Sequence, residues 1–236
     1  MTKSAEGLGR VACVIPVRGG SKGIERKNLV PVAGKPLMVW TIEQALAVPG
    51  LDVHVSTEDA EIADVARSAG ANVIERPAEL ARDDTASEPV IEHAIRVLAA
   101  RGRRPDVVVF LQATSPVRRP GTIARALEQF AATGADSLLS VVAESPFLWR
   151  AGSPATASYD YTRRPRRQDI PPGERVFREN GSIYVTRTSV YETLHNRLGG
   201  HIELFELDPI ESVDVDGAAD LETVAARLRR LIKGGS

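Results

Sequence analysis

The chain is short of cysteine, of aromatic residues and of net charge, and each shortage removes a class of protein. Cys13 is the one cysteine in 236 residues, so no intramolecular disulfide can form and a disulfide-stapled secreted scaffold is excluded. It sits in the apolar run Val11-Ala12-Cys13-Val14-Ile15, the setting of a buried, inert thiol rather than a nucleophile or a metal ligand. Lys+Arg at 30 against Asp+Glu at 31 leave a formal net charge of −1, which argues against nucleic acid or an anionic membrane bound through bulk charge. Any basic site must therefore be local. No run approaches the ~20 apolar residues of a membrane helix, and residues 1–10 hold no apolar signal region, so a cytoplasmic location is expected.

Several chemical signatures are missing as well. The four histidines, His54, His93, His195 and His201, occupy unrelated segments and none has zinc-ligand spacing. There is no Gly-x-Ser-x-Gly elbow, no Walker A loop and no G-x-G-x-x-G dinucleotide fingerprint.

What remains is an ordinary globular composition, 43% hydrophobic and 26% charged, in a length that α/β folds occupy as one domain. Residues 11–17 form a short β-branched run closed by Gly19-Gly20, which predicts a buried parallel strand feeding a glycine loop. Helices are expected over 37–47, 59–69, 88–100 and from Pro120-Gly121 onward. Strands are expected over 53–57, 72–75, 106–111 and 137–142. Strand and helix alternate four times, which calls for a doubly wound, mostly parallel α/β sheet with helices on both faces.

The rhythm breaks over 144–178, a stretch rich in Pro, Arg and Tyr that reads as a functional insertion. Arg163, Arg164, Arg166, Arg167, Arg175 and Arg178 face only Asp160, Asp169 and Glu174 there, a local excess of about +3 that suits an anionic ligand or partner. Strands over 182–186 and 202–207 and a helix over 218–232 complete the pattern. Residues 1–10 are expected to be a flexible N-terminus, and residues 11–232 one domain carrying the insertion.

The first loop, Pro16-Val17-Arg18-Gly19-Gly20-Ser21-Lys22-Gly23-Ile24-Glu25-Arg26-Lys27-Asn28, has the parts of a polyphosphate cradle. Glycines let backbone N–H groups approach phosphates, and Arg18, Lys22 and Lys27 add positive charge. An ordinary basic strand-to-helix loop is the competing reading. Asp214 and Asp216 lie two apart in Ser212-Val213-Asp214-Val215-Asp216, so on a strand both carboxylates would face one side and suit Mg²⁺, which prefers oxygen ligands beside phosphate. Two solvated acids ahead of a helix N-terminus is the alternative.

The string Ile15-Pro16-Val17-Arg18-Gly19-Gly20-Ser21-Lys22-Gly23, with Lys27-Asn28-Leu29 and Gly34-Lys35-Pro36-Leu37, closely resembles the nucleotide-binding signature of the acylneuraminate cytidylyltransferases, the CMP-sialic acid synthetases. The resemblance continues through Ser56-Thr57-Glu58-Asp59, Arg76-Pro77-Ala78-Glu79-Leu80, Leu111-Gln112-Ala113-Thr114-Ser115-Pro116, Arg167-Gln168, Asn180-Gly181-Ser182-Ile183-Tyr184 and Asp214-Val215-Asp216. It spans roughly residues 11–222.

The resemblance implies a Rossmann-like nucleotidyltransferase fold, a homodimer whose insertion serves dimerisation or acceptor binding, and transfer of CMP from CTP to a nonulosonic acid with release of pyrophosphate. It assigns Arg18, Gly19, Gly20, Ser21, Lys22, Lys27 and Asn28 to the nucleotide, with Arg18, Lys22 and Asp216 as catalytic groups. It assigns Gln112, Arg167, Gln168, Arg178 and Asn180 to the acceptor, and Asp214 and Asp216 to Mg²⁺. Arginines suit an acid group because each can offer two parallel N–H bonds. The acceptor stays open between sialic, legionaminic or pseudaminic acid and a small phosphonate. A sugar-1-phosphate transferase using another base and a catalytically silent nucleotide-binding protein are the other readings the sequence allows.

Overall fold

The computed structural model describes residues 7–20 and 23–234. The elements follow from the hydrophobic pattern in chain order. Strand β1 (Val11–Pro16) leads through the glycine loop and a 3-10 turn (Lys27–Leu29) to a short hairpin of β2 (Pro31–Val32) and β3 (Lys35–Pro36). Then come α1 (Leu37–Leu46), β4 (Asp52–Thr57), α2 (Ala60–Ser68), β5 (Asn72–Glu75), α3 (Ser87–Ala100), β6 (Val107–Leu111), α4 (Thr122–Thr133) and β7 (Ser137–Glu144). The insertion contributes a small hairpin, β8 (Trp149–Arg150) with β9 (Thr156–Ala157), and three 3-10 turns. The chain closes with β10 (Val176–Arg187), α5 (Thr188–Leu194), β11 (Ile202–Glu206) and α6 (Ala218–Gly234).

Among the described residues, seven strands form one sheet in the order β11-β7-β10-β6-β1-β4-β5. β1 pairs in parallel with both β4 and β6, whereas β10 runs antiparallel to β6 and β7. The mostly parallel, doubly wound architecture is thus the one the alternating pattern predicts. Both faces of the sheet are covered, which is why its central strands read as unbroken apolar runs. Cys13, Ile15, Val53, Val55, Val107 and Val109 point into a core shared with α1, α2 and α4, and Ala12, Val14, Val108 and Phe110 into a second core under α3 and α5. The period of two along each strand allots alternate residues to the two cores. Helix α6 packs through Val224, Ala225 and Leu228 on Val32, Leu37 and Trp40. No helix among the described residues is long and apolar enough to cross a membrane.

Three elements depart from the sequence pattern. β10 is twelve residues long, more than twice the expected strand over 182–186, and its register shifts between Glu179 and Tyr184. Helix α5, seven residues long, carries too little periodicity to be read from sequence. Residues 212–216 are irregular rather than a strand, so the two-residue spacing of Asp214 and Asp216 does not place them on one face of a sheet.

The chain leaves β1 toward β4 and β5 on one side and later returns to β6 on the other, which makes the boundary between β1 and β6 the point where strand order reverses. Loops at the C-terminal ends of strands diverge there and open a crevice.

Candidate active site

A cavity of about 470 Å³ occupies that crevice. Its lining comes from the loop after β1 (Arg18, Gly23, Lys27, Asn28), from Arg76 after β5, from the 80–87 loop, and from Phe110, Gln112 and Thr114 at the end of β6, with Asp216 closing it. Four cations, Arg18, Lys27, Arg76 and Arg82, meet two acids, Asp83 and Asp216, among the described lining residues.

The loop after β1 is held from behind. The Gly19 N–H donates to Glu58 Oε1 at 2.7 Å, and the Arg26 guanidinium forks onto Asp59 with two bonds of 3.0 Å. Asp59 also caps α2, accepting from the Ile62 N–H at 3.0 Å. The Arg26 bond, with help from that cap, holds the Asp59 carboxyl below its usual range. Ser56-Thr57-Glu58-Asp59 therefore serves as a clasp for the glycine loop. Arg18 pairs with Asp83 across the cavity. Lys27 Nζ donates to the Val215 carbonyl at 2.7 Å, so it ties the glycine loop to the aspartate segment. Gly23 has a steric reason to be glycine: a Cβ there would come within 2.6 Å of the Asp216 carbonyl oxygen. Asn28 is buried, donates to the Arg18 carbonyl at 3.4 Å, and leaves its Oδ1 without a protein partner beside the cavity. Ser21 and Lys22 lie outside the described residues.

Arg76 belongs to the site though it was not singled out within its motif. It is buried, its Nε donates to Ser56 Oγ at 3.3 Å and its Nη2 to the Ser56 carbonyl, and its remaining nitrogen approaches Glu58 at 4.0 Å. Burial, reinforced by Arg18, lowers its pKa, while Glu58 opposes the shift. The signal was a lone arginine after a predicted strand.

Gln112 follows β6 and lines the cavity. Its amide packs on Gly181, where φ is +68° and a Cβ would come within 2.7 Å of Gln112 Oε1. Asn180 lies in the sheet rather than on the cavity wall. Its Oδ1 accepts from Ser140 Oγ at 2.7 Å and from the Ser182 N–H at 3.2 Å, replacing ladder bonds lost at the register shift. Beneath this junction lies Arg118, another residue not singled out in the sequence. It is 3% exposed and donates to Thr41, Gln44, the Gln112 carbonyl and the Ser182 carbonyl. Burial pushes its pKa down to about 10, against the opposing charges of Glu211 and Asp214.

Asp214 and Asp216 come together without a strand. The Val215 N–H donates to the Thr114 carbonyl at 2.8 Å, and Asp214 accepts from the Ser115 hydroxyl. Burial pushes the Asp214 carboxyl upward, and the Asp216 charge adds to the shift against the Ser115 bond and the Arg118 and Arg178 charges. Asp216 is exposed at the cavity. The nearby acids have structural partners: Glu211 accepts from the Arg119 N–H and Thr122 Oγ1 at the start of α4, Asp208 pairs with Arg119, and Asp220 caps α6. Among the described residues no group of three or more His, Cys, Asp or Glu could hold a metal. The Asp214/Asp216 pair does fit Mg²⁺, which commonly takes one or two carboxylates and completes its shell with phosphate and water.

The insertion's arginines are arranged differently. Arg166 pairs with Asp169, Arg175 with Glu206 and Arg178 with Glu144, and Arg164 lies over the Phe147 ring. Gln168 is exposed in the turn Arg167–Asp169, and neither it nor Arg178 lines the cavity. The Arg167 side chain lies outside what the structure describes.

The model of the cytidylyltransferase family matches residues 12–231. The chain belongs to that family. It is 37% identical to N-acylneuraminate cytidylyltransferase B of Danio rerio over 227 residues, 93% of this chain and 51% of that protein. It is 39% identical to pseudaminic acid cytidylyltransferase of Campylobacter jejuni over 120 residues, 50% of this chain and 52% of that one. The chain thus spans about half the length of the curated relatives it matches. A CMP:2-keto-3-deoxy-manno-octonic acid synthetase solved with CTP shares the fold at 22% identity and a TM-score of 0.67, covering 94% of this chain and 99% of the other. A 4-diphosphocytidyl-2C-methyl-D-erythritol synthase from Anaerococcus prevotii does so at 10% identity and 0.67, covering 94% and 100%.

Proposed function

We propose that this cytidylyltransferase-family chain transfers CMP from CTP to a small acidic acceptor, a nonulosonic acid of the sialic, legionaminic or pseudaminic kind, and releases pyrophosphate. The observation that carries this is the meeting, in one crevice at the strand switch point, of a basic glycine loop, Gln112 and Asp216, with Asp214 electrostatically coupled to Asp216. The names of its relatives supply the base and the acceptor class.

An acceptor hydroxyl would attack the α-phosphorus while pyrophosphate leaves in line, chemistry that needs positioning and charge neutralisation more than a covalent intermediate. Arg18, Lys22 and Arg76 would receive the triphosphate, and the unpartnered Asn28 Oδ1 is available as an acceptor to the nucleoside. Asp214 and Asp216 would hold Mg²⁺, which when bound supplies charge neutralisation on the phosphates. Asp216, exposed at the cavity, would also help remove the hydroxyl proton. Gln112 would form the acceptor side of the cavity, with Asn180 holding the β10 bulge under it, and Arg167, Gln168 and Arg178 would reach the acceptor from the insertion, outside the cavity wall.

The reading includes a homodimer built on the insertion. Leu148, Trp149 and Tyr161 stand 54%, 54% and 64% exposed there, and Trp149 and Tyr161 pack ring against ring, an apolar surface suited to a second copy. A nucleoside triphosphate donor suits a cytoplasmic enzyme.

The test crosses nucleoside triphosphates with sialic, legionaminic and pseudaminic acids and simple phosphonates, scored by Mg²⁺-dependent pyrophosphate release. Release with CTP and a nonulosonic acid is expected. Release with phosphonates alone would move the acceptor class, and silence across the panel in folded protein would sink the enzyme reading.

A further inference from the structure

Arg197 lies outside every motif that pointed to the site. It stands in the loop between α5 and β11, where its carbonyl accepts from Thr186 Oγ1 at 2.6 Å, two residues along β10 from Tyr184. Its guanidinium reaches the first turn of α3, donating from Nε to Glu88 Oε1 at 2.6 Å. On the way it covers the Phe110 ring at 5.3 Å and the Tyr184 ring at 4.9 Å, and those two rings stack on each other with centroids 5.3 Å apart.

Both groups that Arg197 braces belong to the cavity wall or adjoin it. Phe110 lines the cavity, and Glu88 lies between the lining residues Ser87 and Val90. The wall formed by 82–87 is irregular backbone as far as the start of α3, in which Arg82 pairs with Asp84 and Asp83 with Arg18. The Thr85 N–H reaches the Arg82 carbonyl at 3.2 Å, the Thr85 hydroxyl reaches the Glu79 carbonyl at 3.5 Å, and Ala86 gives α3 no side-chain cap. A planar guanidinium suits the task because it can stack on rings and donate to a carboxylate at once, which an ammonium cannot do as well. The side chains of Arg197 and Glu88 are 22% and 16% exposed, so water screens the pair only in part.

Building on the activity proposed above, we infer that Arg197 is a positioning residue for the nucleotide: it fixes the Ser87–Val90 wall against Phe110 through Glu88, without touching substrate. The Tyr184 hydroxyl in turn donates to Glu179 on the same strand.

The experiment compares wild type, Arg197→Met, Arg197→Lys, Glu88→Gln and the double variant Arg197→Met/Glu88→Gln. It measures CTP affinity by calorimetry, kcat, the KM of each substrate and thermal unfolding. Arg197→Met should weaken CTP binding about tenfold, the scale of one lost charge-assisted hydrogen bond, with acceptor KM and kcat little changed. Arg197→Lys should recover part of the loss, and Glu88→Gln should add nothing to Arg197→Met. Unchanged CTP affinity in folded Arg197→Met and Glu88→Gln would overturn the inference. So would a fall in kcat that merely tracks the folded fraction. Wild type that binds no CTP would instead overturn the activity on which it rests.

Discussion

Two regions of the molecule are rich in arginine, and the buried arginines of one are partnered differently from the exposed arginines of the other. Around the crevice, Arg76 and Arg118 are buried and bonded largely to backbone carbonyls and neutral side chains, so their charge is directed by the fold. In the insertion, Arg166, Arg175 and Arg178 are exposed and pair with Asp169, Glu206 and Glu144. The difference teaches that a local charge excess counted along the chain does not by itself locate an anion site. Asp169 is a near neighbour in sequence, but Glu144 and Glu206 arrive from β7 and β11 and neutralise charge that the count left unopposed. Exposed pairs of this kind contribute little to stability, whereas a buried arginine with several acceptors leaves unpaired groups behind when it is removed.

Substitutions can break or sharpen this contrast. The largest effect is expected at Asp216→Asn, where Mg²⁺-dependent pyrophosphate release should fall by a factor on the order of 10²–10³ while ligand-free thermal stability is retained. Turnover equal to wild type would refute its role. Arg118→Met should lower unfolding stability by about 3 kcal/mol in a denaturant titration, because the Gln112 and Ser182 carbonyls and the Thr41 and Gln44 side chains lose their donor. The matched change in the insertion, Arg166→Met, should stay within about 0.5 kcal/mol. Equal losses at the two positions would erase the contrast. Arg76→Lys keeps the charge but loses the fork, and should raise the KM for nucleotide roughly tenfold with the fold intact.

A modest effect is expected at the clasp behind the glycine loop. Asp59→Ala should cost about 1 kcal/mol at neutral pH, through the lost cap on α2 and the lost bond to Arg26. Because the folded-state pKa of Asp59 lies below its usual 3.8, its contribution is fully present above that value and fades as pH falls through the depressed one. The gap between wild type and variant should therefore be constant near neutrality and narrow below about pH 4 in urea melts. A gap independent of pH would remove the ion pair from the account.

The central strands and long helices were legible because burial on both faces of a parallel sheet writes continuous apolar runs, and each helix writes its own stripe. β10 was half hidden: Arg178-Glu179-Asn180-Gly181 has no strand pattern, yet Arg178 and Glu179 pair with β7 and Asn180 Oδ1 accepts from Ser140 Oγ and the Ser182 N–H at the register shift that follows. Arg197 was invisible for a different reason. Its partners Glu88, Phe110 and Tyr184 are brought from three separate elements, and no local spacing records that meeting.

Local sequence alone determined the alternation of strand and helix, the glycine-basic loop and the presence of a carboxylate pair, because periodicity, backbone freedom and charge are properties of neighbouring residues. The closeness of the carboxylates came from elsewhere: Ser115, Thr114 and Lys27 hold an irregular segment in place, doing what a strand was expected to do. Which arginines line the cavity and which stand on the insertion paired with acids was likewise decided by tertiary structure, since a guanidinium is steered by whatever acceptor the fold brings within about 3 Å of it.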